Sequence, residues 1–289
     1  MAKRNSLDKF YTKTEVAKAC LKFLNDRISL SPDSFFLEPS AGDGKFSSLL
    51  DNCEAYDIQP EAENIIKADF LKVELNKSNY ITVGNPPFGK KCSLAIAFFN
   101  KCAQVSDIIA FIVPVTFMKW SVQSQLNKDF KLVDFFYLDE NSFIENGKDY
   151  CVRCVFQIWV KKNCKYDSEN LPNYRLLKAP PISHPDFNIW QHNATPASRK
   201  YVDENWEIAT WRQGYKDYNK FFTRKDYDKI KDMVENTNLQ FFFIEPLNEQ
   251  ARKIIYNMDF NQLAKRNLST PGFGKADFVG YYIELKNRL

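Results

Sequence analysis

The sequence predicts an α/β protein: an open, mostly parallel, doubly wound sheet followed by a smaller C-terminal α+β domain. Three observations carry this. Short apolar runs alternate with stretches at helical spacing through residues 1–162. One run, "DIIAFIVP" (107–114), is nearly continuous, as in strands that a parallel sheet buries on both faces. After residue 162 the chain turns polar, Pro-rich and irregular ("NCKYDSENLPNY", "KAPPISHPDFNIWQHNATP"), which sets a boundary between domains 1–162 and 163–289.

The elements follow in order. "TEVAKACLKFLNDR" (14–27) carries Val16, Ala17, Cys20, Leu21 and Leu24 at helical spacing, with Thr14 as N-cap. "SFFLEPSAGDGKFSSLL" (34–50) reads as a strand entering a glycine turn, with "GKFSSLL" resuming as a helix. "CEAYDIQP" is a strand ending on an acid, "NIIKADF" a further strand, and "YITVGNPPF" (80–88) a strand with its exit loop. "SLAIAFFNKCAQV" and "KWSVQSQLN" read as helices, "FKLVDFFYL" and "YCVRCVFQIWV" as strands. In the second part "EIATWRQG" and "QFFFIEP" are strands, "RKDYDKIKDMVENT" and "NEQARKIIYNM" helices, and "STPGFGKADFVGYYIEL" finishes the chain. No internal repeat is present.

Bulk properties bound the function. A chain of 289 residues with 44% hydrophobic and 15% aromatic content supports a large core. No run reaches the roughly 18 apolar residues of a membrane helix. "MAKRNSLDKFYTK" is basic without an apolar stretch behind it, so no signal peptide is expected. Seven scattered cysteines point to a reducing, cytoplasmic setting rather than a disulfide framework. Residues 1–160 carry 19 basic and 20 acidic side chains, and residues 161–289 carry 21 and 16. The basic second half suits a polyanion partner.

In doubly wound sheets ligands bind at the carboxyl ends of the strands. The polar oddities sit at those ends: "EPSAGDG" (38–44), Asp57, Asp69-Phe70 and "NPPF" (85–88). Glycine lets backbone approach a ligand and adopt φ > 0, and an acid closing the second strand is a partner for ribose hydroxyls. "AGDGKF" is neither a dinucleotide fingerprint nor a P-loop. Its carboxylate repels pyrophosphate and favours the cationic sulfonium and ammonium of S-adenosylmethionine.

These motifs, in this order, resemble the amino (N6-adenine) methyltransferases of the gamma-type arrangement, a class I, Rossmann-like methyltransferase fold. The resemblance covers about the first 160 residues. "KFYTK" is similar to the motif covering the methionine end of the cofactor and implies Phe10, Tyr11 and Thr12 as contacts. "LEPSAGDGKF" implies Glu38, Pro39, Ser40, Ala41, Gly42, Asp43 and Gly44. "YDIQP" implies Asp57 and Ile58, and "KADF" implies Asp69 and Phe70. "NPPF" resembles the catalytic tetrapeptide, giving Asn85, Pro86, Pro87 and Phe88, with Asn85 also facing the cofactor. "SFIENGKDYCVRCVFQIW" (142–159) resembles a late motif whose aromatic residue stacks on a flipped base, and points to Phe143.

The chemistry explains the tetrapeptide. An exocyclic adenine amine is a poor nucleophile because its lone pair is delocalised into the ring. The Asn85 side-chain oxygen and the Pro86 carbonyl can each accept one amine hydrogen and restore that lone pair. Prolines fix φ and donate no N–H, so the corner stays rigid. Phe88 can stack on the base, at about 1–3 kcal/mol, once the base is extruded from the duplex.

The expected function is methyl transfer from S-adenosylmethionine to adenine N6 in DNA, with RNA adenine, a protein glutamine amide and an inactive nucleic-acid-binding subunit as alternatives. The resemblance makes a cognate restriction endonuclease a candidate partner; no membrane or metal partner is expected. Lys90 and Lys91 follow the tetrapeptide. Arg212, Lys216, Lys220 and Arg224 lie in the aromatic-basic stretch "WRQGYKDYNKFFTRK" (211–225), and Lys275 in "GFGK". These seven are the candidate polynucleotide contacts. That stretch reads equally as a half-buried strand and its turn. "CVRC" (151–154) has no second CxxC, so it reads as structural rather than metal-binding.

Overall fold

The computed structural model describes residues 10–145, 147–265 and 271–287. The basic start of the chain with Lys9 of "KFYTK", Asn146 of the late motif, and Ser269 and Thr270 of the last glycine-bearing stretch lie outside the described residues. The chain divides into two compact units between Leu177 and Lys178.

The first unit contains, in chain order, β1 (Tyr11–Thr12), α1 (Thr14–Arg27), β2 (Phe36–Glu38), β3 (Cys53–Asp57), β4 (Ile66–Lys67), β5 (Tyr80–Gly84), α2 (Ser93–Cys102), β6 (Ser106–Pro114), α3 (Trp120–Gln123), β7 (Phe130–Tyr137), β8 (Phe143–Glu145), β9 (Lys148–Tyr150) and β10 (Cys154–Lys161). Seven strands form one sheet in the order β4-β3-β2-β5-β6-β10-β7. Strands β2 to β6 pair in parallel, and β10 runs antiparallel to both β6 and β7. This is the strand order of the class I methyltransferase, Rossmann-like fold. β1, β8 and β9 form a separate small sheet, with Thr12 opposite Phe143.

The β6 run is buried throughout because helices cover both faces. Ile109, Phe111 and Val113 join the core under α2, which contributes Ala95, Phe98, Phe99 and Cys102. The alternate residues Ile108, Ala110 and Ile112 join the core under α1, through Ala17, Cys20, Leu21 and Leu24.

Three expectations change. Thr14 is the first helical residue of α1; the N-cap position belongs to Lys13, with no side-chain cap. "GKFSSLL" forms a single 3-10 turn at Ser47–Leu49 rather than a helix. The Ser47 amide is drawn onto the Glu38 carboxylate at 2.8 Å, two serines disfavour helix, and Asn52 turns left-handed (φ 54°) just before β3. "NIIKADF" yields only the two-residue edge strand β4.

The second unit holds β11 (Phe187–His192), α4 (Pro196–Arg199), β12 (Ile208–Trp211), β13 (Phe222–Thr223), α5 (Tyr227–Asn236), β14 (Phe241–Pro246), α6 (Glu249–Tyr256), α7 (Phe260–Ala264) and α8 (Lys275–Lys286). Its antiparallel sheet has the order β11-β14-β12-β13. β14 is central, and Phe241 to Ile244 are all buried. β11 lies in the stretch expected to be irregular; it is an edge strand interrupted by Asn188, Gln191 and His192, so its apolar alternation is weak.

Residues 163–177, beyond the composition change, are bound to the first unit. The Arg175 guanidinium donates to the carbonyls of Gln123, Leu126, Asn127 and Phe130 at 2.6–2.9 Å, closing the end of α3. We expect Arg175→Met to orphan these acceptors and lower stability by about 2–4 kcal/mol in urea denaturation. A loss below about 0.5 kcal/mol would show the clamp to be incidental.

Candidate active site

Beyond β4 the chain returns to lay β5 beside β2, so the strand order reverses between them. The carboxyl ends of these neighbours carry Glu38 and Gly84-Asn85, and this is where a doubly wound sheet opens a crevice. A cavity of about 360 Å³ lies there, within the roughly 300–1,000 Å³ range of small-molecule sites.

Its floor is the turn after β2, held by two carboxylates. Glu38 is 2% exposed and accepts the Ser47 N–H. Burial pushes its carboxyl up to about 8. Asp57, at the end of β3, accepts the N–H of Gly42 at 2.8 Å and that of Gln59 at 2.7 Å. The Ala41 N–H donates to the Tyr56 carbonyl at 2.8 Å. Gly42 is left-handed (φ 54°), and a Cβ there would meet the Tyr11 ring at 3.2 Å. The β1 segment therefore lies directly on the turn, and the Tyr11 hydroxyl donates to Glu61.

The structure brings most of the expected cofactor contacts to this cavity. Phe10, Tyr11 and Thr12 form one side, and Pro39, Ser40, Ala41 and Asp43 join Glu38 and Gly42 on the floor. Asp57, Ile58, Asp69 and Phe70 line the far end. Ile58 is 53% exposed, an aliphatic side chain held at the rim. Phe70 is buried, stacked on Phe98 with centroids 5.6 Å apart. Gly44 (φ 77°) shapes the turn without lining the cavity. Leu94 and Phe98 of α2, and Lys45, also line it. Leu94 and Phe98 are an i, i+4 pair on one helix face, a signal present in the sequence.

The corner after β5 closes the remaining side through Asn85, Pro86 and Pro87. Gly84 (φ 143°) packs against Glu38, where a Cβ would sit 3.4 Å from Cγ. Asn85 donates from Nδ2 to the Thr12 hydroxyl at 3.2 Å, and its carbonyl accepts from Ser40 at 3.3 Å. Its Oδ1 is buried and has no hydrogen-bond partner among the described residues. A buried acceptor left empty costs about 1–3 kcal/mol.

The two aromatic residues expected to meet a base are placed differently. Phe88 is 6% exposed and outside the cavity lining, edge-on to Phe10 at 5.0 Å. Phe143 is fully buried in β8, edge-on to Phe10 at 5.2 Å. Tyr150 stacks on Phe10 from β9 at 5.3 Å, completing an aromatic cluster.

Of the candidate polynucleotide contacts, Lys90 and Lys91 are exposed just past the corner, where Gly89, Lys91 and Cys92 all have positive φ. In the second unit, Lys216 and Lys220 are exposed, Lys220 lying 3.8 Å from Asp217. Arg212 is half-buried on the Gln240 side chain, with its Nε unpaired. Arg224 is engaged within its own unit, donating to the Val202 and Glu204 carbonyls and lying over Trp206 and Tyr227. Lys275 opens α8, half-buried. The "GFGK" turn packs on β12: a Cβ on Gly272 (φ 156°) would lie 2.6 Å from the Arg212 carbonyl.

Among the described residues no three His, Cys, Asp or Glu side chains are grouped to hold a metal; Cys151 is exposed and Cys154 buried. No helix among them is long and apolar enough to cross a membrane.

No family model matches the chain, and no curated protein matches its sequence. Among solved structures it is similar to a protein from Listeria monocytogenes described as a class I S-adenosylmethionine-dependent methyltransferase, at 12% identity and TM-score 0.45, over 55% of this chain and 63% of that one. A type I restriction-modification methyltransferase subunit from Streptococcus thermophilus matches at 16% identity and TM-score 0.41, over 86% and 58%. The type IIL restriction-modification enzyme MmeI in complex with DNA matches at 13% identity and TM-score 0.35, over 80% and 47%. The chain thus spans less than two thirds of each of these three.

Proposed function

We propose that the protein transfers a methyl group from S-adenosylmethionine to the exocyclic N6 amine of an adenine flipped out of DNA. One observation carries this reading: Asn85 Oδ1, buried beside the cavity, is an acceptor without a donor. An N–H donor, such as one hydrogen of an exocyclic amine, would satisfy it.

The residues fit the cofactor. Asp57 stands at the end of β3, where a ribose diol would be held, with Ile58 and Phe70 as apolar surface for its base. Asp43 supplies negative charge where the amino acid end would lie, and Glu38 beside it can ionise when a cation binds. When bound, S-adenosylmethionine supplies an electrophilic methyl group. Thr12 holds the Asn85 amide, so its Oδ1 is aimed before substrate arrives. The Pro86 carbonyl takes the second amine hydrogen, and the proton released from nitrogen passes to water. Pre-aimed acceptors contribute to rate through positioning. The similarity of "EPSAGDG" and "NPPF" to adenine-N6 enzymes, together with the basic second half, favours DNA as substrate.

Labelled cofactor incubated with duplex DNA, single-stranded DNA, RNA and protein should mark DNA, with label recovered as N6-methyladenine on digestion. Asn85→Ala should reduce transfer by about 10²–10³-fold in a protein that still folds. Undiminished transfer by that variant would end the mechanism, and label on RNA or on glutamine would redirect the substrate.

Glu38 gives a second test. Folding raises its carboxyl from the ordinary 4.5 to about 8, so the folded protein holds this proton more tightly than the unfolded chain. Its contribution is full below about pH 4.5 and is lost as pH climbs toward 8. Stability measured by urea denaturation should fall across that window, and Glu38→Gln should flatten the fall. A cationic ligand favours the ionised form, so binding near pH 7 should release a proton, read as a buffer-dependent heat. A pH-independent stability matching that of Glu38→Gln contradicts this.

A further inference from the structure

The cavity's charges are unequal. Glu38, Asp43, Asp57 and Asp69 line it, and Lys45 is its only basic side chain among the described residues. The Lys45 ammonium lies 3.1 Å from the Asp43 carboxylate, and the two side chains are 37% and 28% exposed. The pair straddles Gly44, whose left-handed backbone (φ 77°) sets both residues on the same turn.

An amino acid end presents the mirror image of this pair, an ammonium and a carboxylate one carbon apart. The acids answer the ammonium and the sulfonium. The ligand carboxylate would meet repulsion from Asp43, Asp57 and Asp69 unless a cation stands among them. Several neutral donors here are already placed: the Gly42 amide on Asp57, the Ser47 amide on Glu38, and the Ser40 hydroxyl on the Asn85 carbonyl. Lys45 is left.

Resting on the cofactor reading above, we propose that Lys45 is the positioning residue that binds the cofactor's α-carboxylate, exchanging part of its contact with Asp43 for it. It thereby makes the site select ligands that carry an intact amino acid end. Lys45 touches no reacting atom; it fixes the depth at which the methionine moiety sits.

The test is calorimetric and needs no turnover. Lys45→Met keeps the aliphatic stem and removes the charge. It is compared with the unchanged protein for S-adenosylmethionine, S-adenosylhomocysteine and decarboxylated S-adenosylmethionine. The first two retain the carboxylate, and the third keeps sulfonium and amine without it. Lys45→Met should weaken the carboxylate-bearing ligands about tenfold and leave the decarboxylated one nearly unchanged, while Lys45→Arg should restore most of the difference. Any effect of the substitution on Asp43 acts on the amine that S-adenosylmethionine and its decarboxylated form share, and cancels between them. Equal weakening of those two, or no weakening of any ligand, overturns the assignment. If the unchanged protein binds none of them, the cofactor reading itself fails, and this inference with it.

Discussion

A carboxyl group buried at the end of β2 is the constraint on which the rest of the site depends. Glu38 has almost no contact with solvent, yet it sits where the strand order reverses. It accepts the Ser47 amide, which bends the chain out of helix and into a tight return toward β3. On its other side it packs against Gly84, where β5 ends in a conformation that side chains rarely adopt. Burying such a group is costly unless it is hydrogen-bonded, and a neutral carboxyl is cheaper to bury than a charged one. The turn after β2 and the corner after β5 are therefore shaped by one side chain, and the cavity between them takes its width from it.

Much of this was legible because the signals are local. The glycine turn, the acid closing β3 and the Asn-Pro-Pro corner are contiguous motifs, and the apolar runs around them fixed the strands to within a residue or two. What failed was decided by contacts outside the local window. "GKFSSLL" has helical apolar spacing, and a carboxylate nine residues upstream overrides it. β11 is an edge strand whose single partner lies 49–59 residues away, so its half-polar pattern resembles a loop. Lys45 reads as one lysine among many; only the cavity shows it surrounded by acids. Motif similarity points to Phe143, but pairing of β8 with β1 turns its ring inward beneath Phe10, a register that composition does not reveal.

The aromatic cluster links the small sheet to the corner. Phe10 touches Phe88, Phe143 and Tyr150 at centroid distances of 5.0–5.3 Å. Such pairs contribute about 0.5–1.5 kcal/mol each beyond burial. For Phe88 to stack on a base its edge must leave Phe10, giving up roughly one such contact for a stacking interaction of about 1–3 kcal/mol. The exchange is close to balanced.

The same logic explains why the corner tolerates an unpaired acceptor. Asn85 cannot swing to relieve Oδ1, because its amide nitrogen is held by Thr12 and its backbone follows a glycine fitted over Glu38. The unfavourable term is thus local to one oxygen, while the interactions that enforce it are spread over β1, β2 and β5. A donor arriving from outside gains what the fold forgoes, and the gain is available only at that oxygen. An unfavourable contact persists where the surrounding scaffold over-determines it, as β1, β2 and β5 do here. Under the proposed mechanism a ring nitrogen or a hydroxyl would satisfy at most one of the two acceptors, Asn85 Oδ1 and the Pro86 carbonyl.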